Sequence, residues 1–143
     1  MKSFDQYINE NRAYGKIGKS NGMDFNFFIL LENVTEEKQY EAFDEFNKYA
    51  NLDQHTIKNL LINKSDIEYY KDSDIKWIWY IKVYESWSDS ENLRDTIDLV
   101  KMRSFDIRSH DNVIIPLDEF LKIGLKGAEE LFKIKKDANK FNI

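Results

Sequence analysis

Cysteine is absent from this chain of 143 residues, and histidine occurs only twice. The first absence excludes disulfide bonds, thiolate nucleophiles and cysteine metal ligands. With two histidines, a structural zinc site would have to be rich in carboxylates, which is unusual. The composition therefore excludes cysteine chemistry and argues against zinc, and we predict no bound metal.

Long apolar runs and glycine-rich phosphate loops are also missing. The longest apolar stretch covers residues 27–31, whereas about 20 residues are needed to cross a bilayer. Only two residues separate Gly15 from Gly18, and the Lys19-Ser20 pair after Gly18 does not stand in the strand–helix junction that a nucleotide-binding loop requires. The first residues lack the apolar core of a secretory signal. These features predict a soluble protein with no cofactor and no membrane partner.

Positive charge is in deficit, with 21 Lys and Arg residues against 26 Asp and Glu residues and a net charge of −5. Because nucleic acid binding requires a cationic face, this balance argues against a DNA-condensing role. His55 and His110 are predicted to be surface or capping side chains, and the acidic residues of 72–74 and 89–91 to lie in solvated turns. We predict no catalytic residue.

Two segments carry the signature of β-strands. Residues 75–87 alternate with a period of two, which predicts a long strand with its odd-numbered face buried. At the centre of residues 23–32, odd-numbered and even-numbered positions are both apolar, which is typical of an inner strand with other elements packed on both faces. The buried face of the longer strand is predicted to carry Ile75, Trp77, Trp79, Ile81 and Val83.

Two other segments have the helical period. Thr35 can cap a helix that starts with two glutamates and runs over about residues 35–50. A second helix follows the single proline and covers about residues 117–135, where Gly124 and Gly127 predict a close packing contact or a break into two helices. The inner faces are predicted to carry Tyr40, Phe43, Phe46 and Ala50 on the first helix, and Leu117, Phe120, Leu121, Leu125, Ala128, Leu131 and Phe132 on the second.

The region between these helices is less regular. Residues 53–62 are predicted to form a short helix with Ile57, Leu60 and Leu61 turned inward. Residues 65–70 are predicted to form a short strand.

Residues 92–108 leave two alternatives, because their apolar positions change parity. The segment is either a helix over about 91–101 followed by a strand, or a bulged strand paired with the long one. The bulged strand is favoured, since residues 86–92 have the composition of a polar loop. Residues 112–115 are predicted to be one more short extended piece before the proline.

These elements predict a single α+β domain over residues 23–143. Its centre is an antiparallel or mixed sheet, with two main helices packed on it. A chain of this length can bury about 68–70% of its unfolded surface, enough for one core.

The long strand is also rich in aromatic residues on its even-numbered side, which is predicted to be half covered. A stacking platform for nucleic acid bases would require a cationic rim, and only Lys76 and Lys82 supply one. Tyrosine is enriched at protein interfaces. We therefore predict that Ile78, Tyr80 and Tyr84 form a possible partner surface.

The first ten residues are a candidate targeting peptide or a first helical turn. On a helix, Phe4, Tyr7 and Ile8 form one narrow apolar stripe, since they stand at i, i+3 and i+4. Residues 11–22 have the glycines and basic residues of a flexible linker. A two-turn peptide is too short to be stable alone in water, so it must dock on its own domain or on a partner.

This segment resembles the N-terminal capsid-targeting peptides of T-even-type bacteriophages. Those begin with Met-Lys, then Ser or Thr, an aromatic, two variable residues, an aromatic, an aliphatic, any residue and Glu. The sequence from Met1 to Glu10 matches every constrained position. The resemblance covers ten of 143 residues. It implies a protein directed into the prohead core and cut by the prohead protease after Glu10.

Two classes of function follow. The first is a non-enzymatic bacteriophage protein, associated with the prohead or virion or delivered to the host, with a cleavable N-terminus and a protein partner in the prohead core or the host cytoplasm. The second is a small acidic intracellular binding protein of the inhibitor or immunity type, in which residues 1–10 are only a helical turn. An enzyme ranks third.

Overall fold

A computed structural model describes residues 23–84, 97–104 and 112–141. Four strands are formed within these ranges: β1 (Met23–Leu31), β2 (Trp77–Tyr84), β3 (Ile97–Arg103) and β4 (Ile114–Pro116). The helices of the same ranges are α1 (Glu36–Phe46), α2 (Gln54–Leu60), α3 (Lys64–Tyr69) and α4 (Leu117–Phe141).

The strands form one mixed sheet in the order β3-β2-β1-β4. β2 pairs antiparallel with both β1 and β3, whereas β4 pairs parallel to β1. The predicted α+β class with a mixed sheet is therefore confirmed. The predicted strand over residues 75–87 begins two residues later, at Trp77, and its last three residues lie outside the described ranges.

The hydrophobic core lies between one face of this sheet and the helices. The odd-numbered residues of β1 and β2 point into it, as the period of two predicts. Tyr40 and Leu131 are predicted to face inward but are 46% and 40% exposed. The fully buried large side chains of the core include Phe25, Phe27, Ile29, Phe43, Phe46, Ile62, Trp79, Ile81, Ile115 and Phe120.

α1 begins as predicted and ends earlier. The Lys38 backbone N–H donates to the Thr35 hydroxyl at 3.1 Å, which caps the helix, and the last helical residue is Phe46 rather than one near position 50. Ala50 is nevertheless buried, because the turn after the helix folds back on the core. Gln39 is fully buried, whereas Tyr40, which the sequence predicts to face inward, is exposed.

Gln39 links α1 to the segment between α2 and α3. Its side-chain Nε2 donates to the Ile62 carbonyl at 2.9 Å, and its Oε1 accepts from the Ile62 N–H at 2.8 Å. At Leu60, two residues before Ile62, the backbone carbonyl accepts from the Trp79 indole Nε1 at 2.9 Å. These three bonds satisfy the Leu60 carbonyl and both backbone polar groups of Ile62, which are buried and have no strand partner. The bonds therefore fix the position of the segment between α2 and α3.

α4 contains the predicted break, at Gly124. This residue has φ 70°, in the left-handed region where a β-carbon is unfavourable, and a β-carbon there would also lie 2.9 Å from the Glu45 carboxylate. That carboxylate accepts from the Leu125 N–H at 3.0 Å and so caps the second half of the helix. Hydrogen bonding to Glu45 also raises the pKa of Lys48 above its ordinary value.

The short strand predicted over residues 65–70 is wrong, because this segment is α3. The Asn63 side chain accepts from the Asp66 N–H at 2.8 Å and caps the helix. The strand preference of an isoleucine and two tyrosines is overridden by this cap. The short helix predicted over residues 53–62 is confirmed as α2, capped by Asp53 and with Leu60 buried.

For residues 92–108, the favoured strand is confirmed over Ile97–Arg103, and this described part of the segment contains no bulge. β3 pairs with β2 in one unbroken register from Ile97 opposite Val83 to Arg103 opposite Trp77. The apolar positions change parity because β3 carries apolar residues on both faces. Residues 92–96 and 105–108 lie outside the described ranges. The extended piece predicted before the proline is confirmed as β4.

We expect the substitution Gln39→Leu to destabilise the domain by about 2–4 kcal/mol, because it leaves the buried N–H and carbonyl of Ile62 without their partner. Chemical denaturation followed by circular dichroism measures this difference. The control is Gln54→Leu at the exposed start of α2, expected to change stability by no more than about 0.5 kcal/mol. Equal effects of the two substitutions would contradict the role given to Gln39.

Candidate functional site

The sheet face opposite the core is the first candidate site, and we call it the outer sheet face. Strand alternation places on it the even-numbered residues of the two central strands and of β3. On β4, Ile114 joins them, since it pairs with Phe28. The outer sheet face comprises Asn26, Phe28, Leu30, Ile78, Tyr80, Lys82, Tyr84, Asp98, Val100, Met102 and Ile114.

Aromatic and polar contacts order the middle of this face. The rings of Phe28 and Tyr80 stack across β1 and β2, with centroids 4.6 Å apart and planes 18° from parallel. The Lys82 ammonium lies 5.4 Å from the Tyr80 ring centroid, a cation–π distance. The Tyr84 hydroxyl donates to the Asp98 carboxylate at 2.7 Å. The two charged side chains that the structure describes on this face, Lys82 and Asp98, therefore contact its tyrosines.

Apolar side chains are exposed at both edges of the same face. Val100 and Met102 on β3 are 48% and 39% exposed, and Ile114 on β4 is 39% exposed. Phe28 and Leu30, between these edges, are half-buried. The second face of β1 is therefore only partly covered, whereas its sequence predicts packing on both sides.

The predicted partner surface is corrected at one of its three residues. Tyr80 and Tyr84 lie on the outer sheet face and are half-buried, as predicted for that side of the strand. Ile78 lies on the same face but is fully buried, because it stands on a central strand opposite Leu30 and Met102. Sequence reasoning missed the exposed Val100 and Met102, since their apolar pattern was interpreted as a bulge.

The targeting residues predicted in the N-terminal decapeptide, Phe4, Tyr7, Ile8 and Glu10, lie outside the described ranges, as does the linker of residues 11–22. His110 and residues 89–91 lie outside them too. His55 is exposed in the first turn of α2, and the acidic side chains of Asp72 and Asp74 are exposed in a turn, as predicted.

A cleft of about 670 Å³ is the second candidate site, and the sequence did not predict it. We call it the Trp77 cleft. It lies at one end of the sheet. The connection from β1 to α1 and the start of β2 form one side, and α3 forms the other. Because the segment before α3 is held by Gln39 and Trp79, those two core residues position this wall. The lining residues include Leu31, Glu32, Asn33, Val34, Glu36, Ile62, Lys64, Ile67, Glu68, Tyr70, Lys71, Lys76 and Trp77.

Trp77 has an unusual environment in this cleft. Tyr70 packs edge-on against it with ring centroids 5.8 Å apart, and the charged groups of Lys101 and Arg103 lie 5.6 and 5.7 Å from its ring centroid. Its indole Nε1 is buried and has no hydrogen-bond partner among the described residues. Trp79, by contrast, has its Nε1 bonded to the Leu60 carbonyl.

The charges around the cleft are balanced. Three lysines and three glutamates line it. Lys76 lies 3.5 Å from Glu32 and also donates to the Lys71 carbonyl at 3.2 Å. Within the described part of the chain, the side chains of Lys64 and Lys71 form no ion pair, and neither do those of Glu36 and Glu68. Two free cations and two free anions therefore remain at the cleft.

Neither a metal-ligand cluster nor a membrane-spanning helix lies within the described ranges. No group of three or more histidine, aspartate or glutamate side chains there is close enough to hold a metal ion. None of the described helices combines the length and apolar character required to cross a membrane.

Comparisons with known proteins return no relatives. The chain matches no protein-family model, no curated protein and no solved structure. The assignment of a site therefore depends on the chemistry of the outer sheet face and of the Trp77 cleft alone.

We expect the two buried indoles to respond differently to removal of their N–H groups. Trp79→Phe breaks the bond to Leu60 and leaves a space in the core, so it should cost about 2–3 kcal/mol of stability. Trp77→Phe removes a donor that has no partner and should cost about 1 kcal/mol or less. Denaturant unfolding of the two variants provides the comparison. An equal or larger loss for Trp77→Phe would show that its N–H has an acceptor in solution.

Proposed function

We propose that this protein is a non-enzymatic bacteriophage protein, carried in the prohead or virion or delivered to the host cytoplasm, that acts by binding another protein. The outer sheet face is the observation that carries the binding activity. The resemblance of residues 1–10 to capsid-targeting peptides supports the viral context. The acidic balance of the chain supports a protein partner over nucleic acid.

The chemistry of the outer sheet face supports an apolar, uncharged partner surface. Its exposed apolar groups at the two edges, Val100, Met102 and Ile114, are aliphatic or thioether side chains, and Asp98 is the exposed charged group on β3. Its two charged groups already interact with Tyr80 and Tyr84. Lys82 and Asp98 stand opposite each other on β2 and β3 and carry opposite charges, so they require no net counter-charge from a partner. Removing the apolar groups from water supplies the driving force.

The dimensions of the face favour an α-helix as the docking element. Four strands spaced about 4.8 Å apart give a face about 14 Å wide, and an α-helix with its side chains is about 10–12 Å across. The core side of the same sheet is already covered by helices, and a helix on the second side would complete a three-layer arrangement. We propose that the occupant is the apolar stripe of an amphipathic helix of the partner.

The second candidate function, an inhibitor or immunity-type binding protein, is supported by the same face. It differs in the role of residues 1–10, which would then be an uncleaved helical turn. Processing of the N-terminus therefore distinguishes the two candidates.

In mature particles of the native phage, we expect this protein to begin at Asn11. Cleavage after Glu10 would remove one lysine and two acidic residues, leaving 20 Lys and Arg against 24 Asp and Glu, a net charge of −4. Mass spectrometry of the N-terminal peptide measures this.

The matched control for cleavage is Glu10→Ala, which removes the last residue of the proposed cleavage tripeptide Ile8-Asn9-Glu10. This variant should enter particles and keep Met1. An intact wild-type N-terminus in mature particles would refute cleavage after Glu10, whereas absence of the protein from the particles and from the infected host would refute the phage candidate and leave the immunity-type candidate standing.

We expect a photo-crosslinking residue, p-benzoylphenylalanine, to capture an amphipathic helix of one partner when it replaces Met102 on the outer sheet face. Val100→Lys should then weaken binding of that purified partner by about tenfold or more, because it places a charge in an apolar interface. Isothermal titration calorimetry with the full chain measures the affinity.

Leu131→Lys is the matched control, since Leu131 is exposed to a similar degree, 40% against 48% for Val100, but lies on α4. It should leave the affinity unchanged. Crosslinks from position 102 to a second copy of this chain, or equal effects of the two lysines, would refute this docking site.

A further inference from the structure

The Trp77 cleft has the size and lining of a small-molecule site. Its volume of about 670 Å³ lies within the range of about 300–1,000 Å³ typical of ligand pockets. It shares no residue with the outer sheet face. A function for this cleft is therefore independent of the protein-binding function proposed above.

The inner part of the cleft is suited to an aromatic ring. Leu31 and Ile62 are buried at its base, and Ile67 and Trp77 are partly buried in its walls. The buried Trp77 Nε1 lacks an acceptor among the described residues, which is unfavourable for a polar group out of contact with water. Because this nitrogen is out of contact with solvent, a ligand in the cleft would contact the ring carbons of Trp77 rather than its N–H.

The charged rim specifies the rest of the ligand. Lys64 and Lys71 provide cations without ion pairs, and Glu36 and Glu68 provide an equal number of anions. A ligand with a single charge would meet a favourable group and an unfavourable one. A ligand that carries both charges can place each beside its opposite.

We propose that the Trp77 cleft binds a small, net-neutral aromatic zwitterion of the amino-acid class. Its ring packs against Ile67 and the Trp77 ring, which line the inner part of the cleft. The lysines of the rim attract the carboxylate and the glutamates attract the ammonium group.

L-phenylalanine is the probe for this proposal, and the indole N–H signals of the ¹⁵N-labelled full chain provide the readout. Titration should shift the signal of Trp77 and leave that of Trp79 in place, because the Trp79 N–H is already bonded in the core. Triple-resonance assignment identifies the signals without a tryptophan variant. No shift at Trp77 up to the solubility limit of the probe would overturn the proposal.

Three related compounds test the ligand class. 3-Phenylpropionate lacks the ammonium group, phenethylamine lacks the carboxylate and L-alanine lacks the ring. We expect the two singly charged compounds to bind about two- to fivefold more weakly than L-phenylalanine, as the loss of an exposed ion pair implies, and L-alanine to cause no shift. Equal affinity of either singly charged compound would overturn the zwitterion assignment.

A pair of lysine variants tests the location. Lys64→Ala should weaken L-phenylalanine binding by about two- to fivefold, whereas Lys58→Ala on α2, exposed but outside the cleft, should not. Both positions are exposed, so neither substitution is expected to affect folding. Equal affinities of the two variants would show that the probe binds elsewhere.

Discussion

The hydrogen bonds between the Gln39 side chain and the backbone of Ile62 hold together the part of the structure that carries both the core and the cleft. The connection from α2 to α3 passes through the core without strand partners, and its polar groups would otherwise be buried unpaired. Trp79 satisfies a third group of the same connection, the Leu60 carbonyl. α1, β2 and the α2–α3 segment are thereby fixed to one another, and the wall of the Trp77 cleft follows from that arrangement.

The two faces of the sheet differ because the helices of the described ranges cover only one of them. On the core side, packing of aromatic and aliphatic side chains supplies the stability of the domain. The outer sheet face keeps its tyrosines ordered by Lys82 and Asp98, and it leaves apolar groups exposed at both edges. A surface of this kind is suited to a protein partner, whereas the cleft at the end of the sheet is suited to a small molecule. The two proposals can therefore succeed or fail separately.

Much of the fold was predictable from the sequence, because periodicity depends on which residues face the core. The period of two in β2, the Thr35 cap of α1 and the short helix α2 are local features, and each is confirmed. The errors occur where two signals compete. In residues 65–70 the Asn63 cap stabilises a helix, although the side chains themselves favour a strand. β3 carries apolar residues on both faces, and this pattern was interpreted as a bulge. A sequence alone cannot show that a strand lies at a partly open edge of a sheet, where both faces can be apolar.

The sequence by itself determined the α+β class and the buried side of the long strand, because period and parity act over a few residues. For Gly124 and Gly127 it left a close packing contact and a helix break as alternatives, and the structure shows the break at Gly124. The sequence also placed Tyr80 and Tyr84 on the correct side of their strand. Only the tertiary structure decided that Ile78 is buried between neighbouring strands and that Val100 and Met102 are exposed. It also decided that Trp77 lines a cleft. Each of these depends on residues that are distant in sequence and meet only when the sheet has paired and the helices have packed.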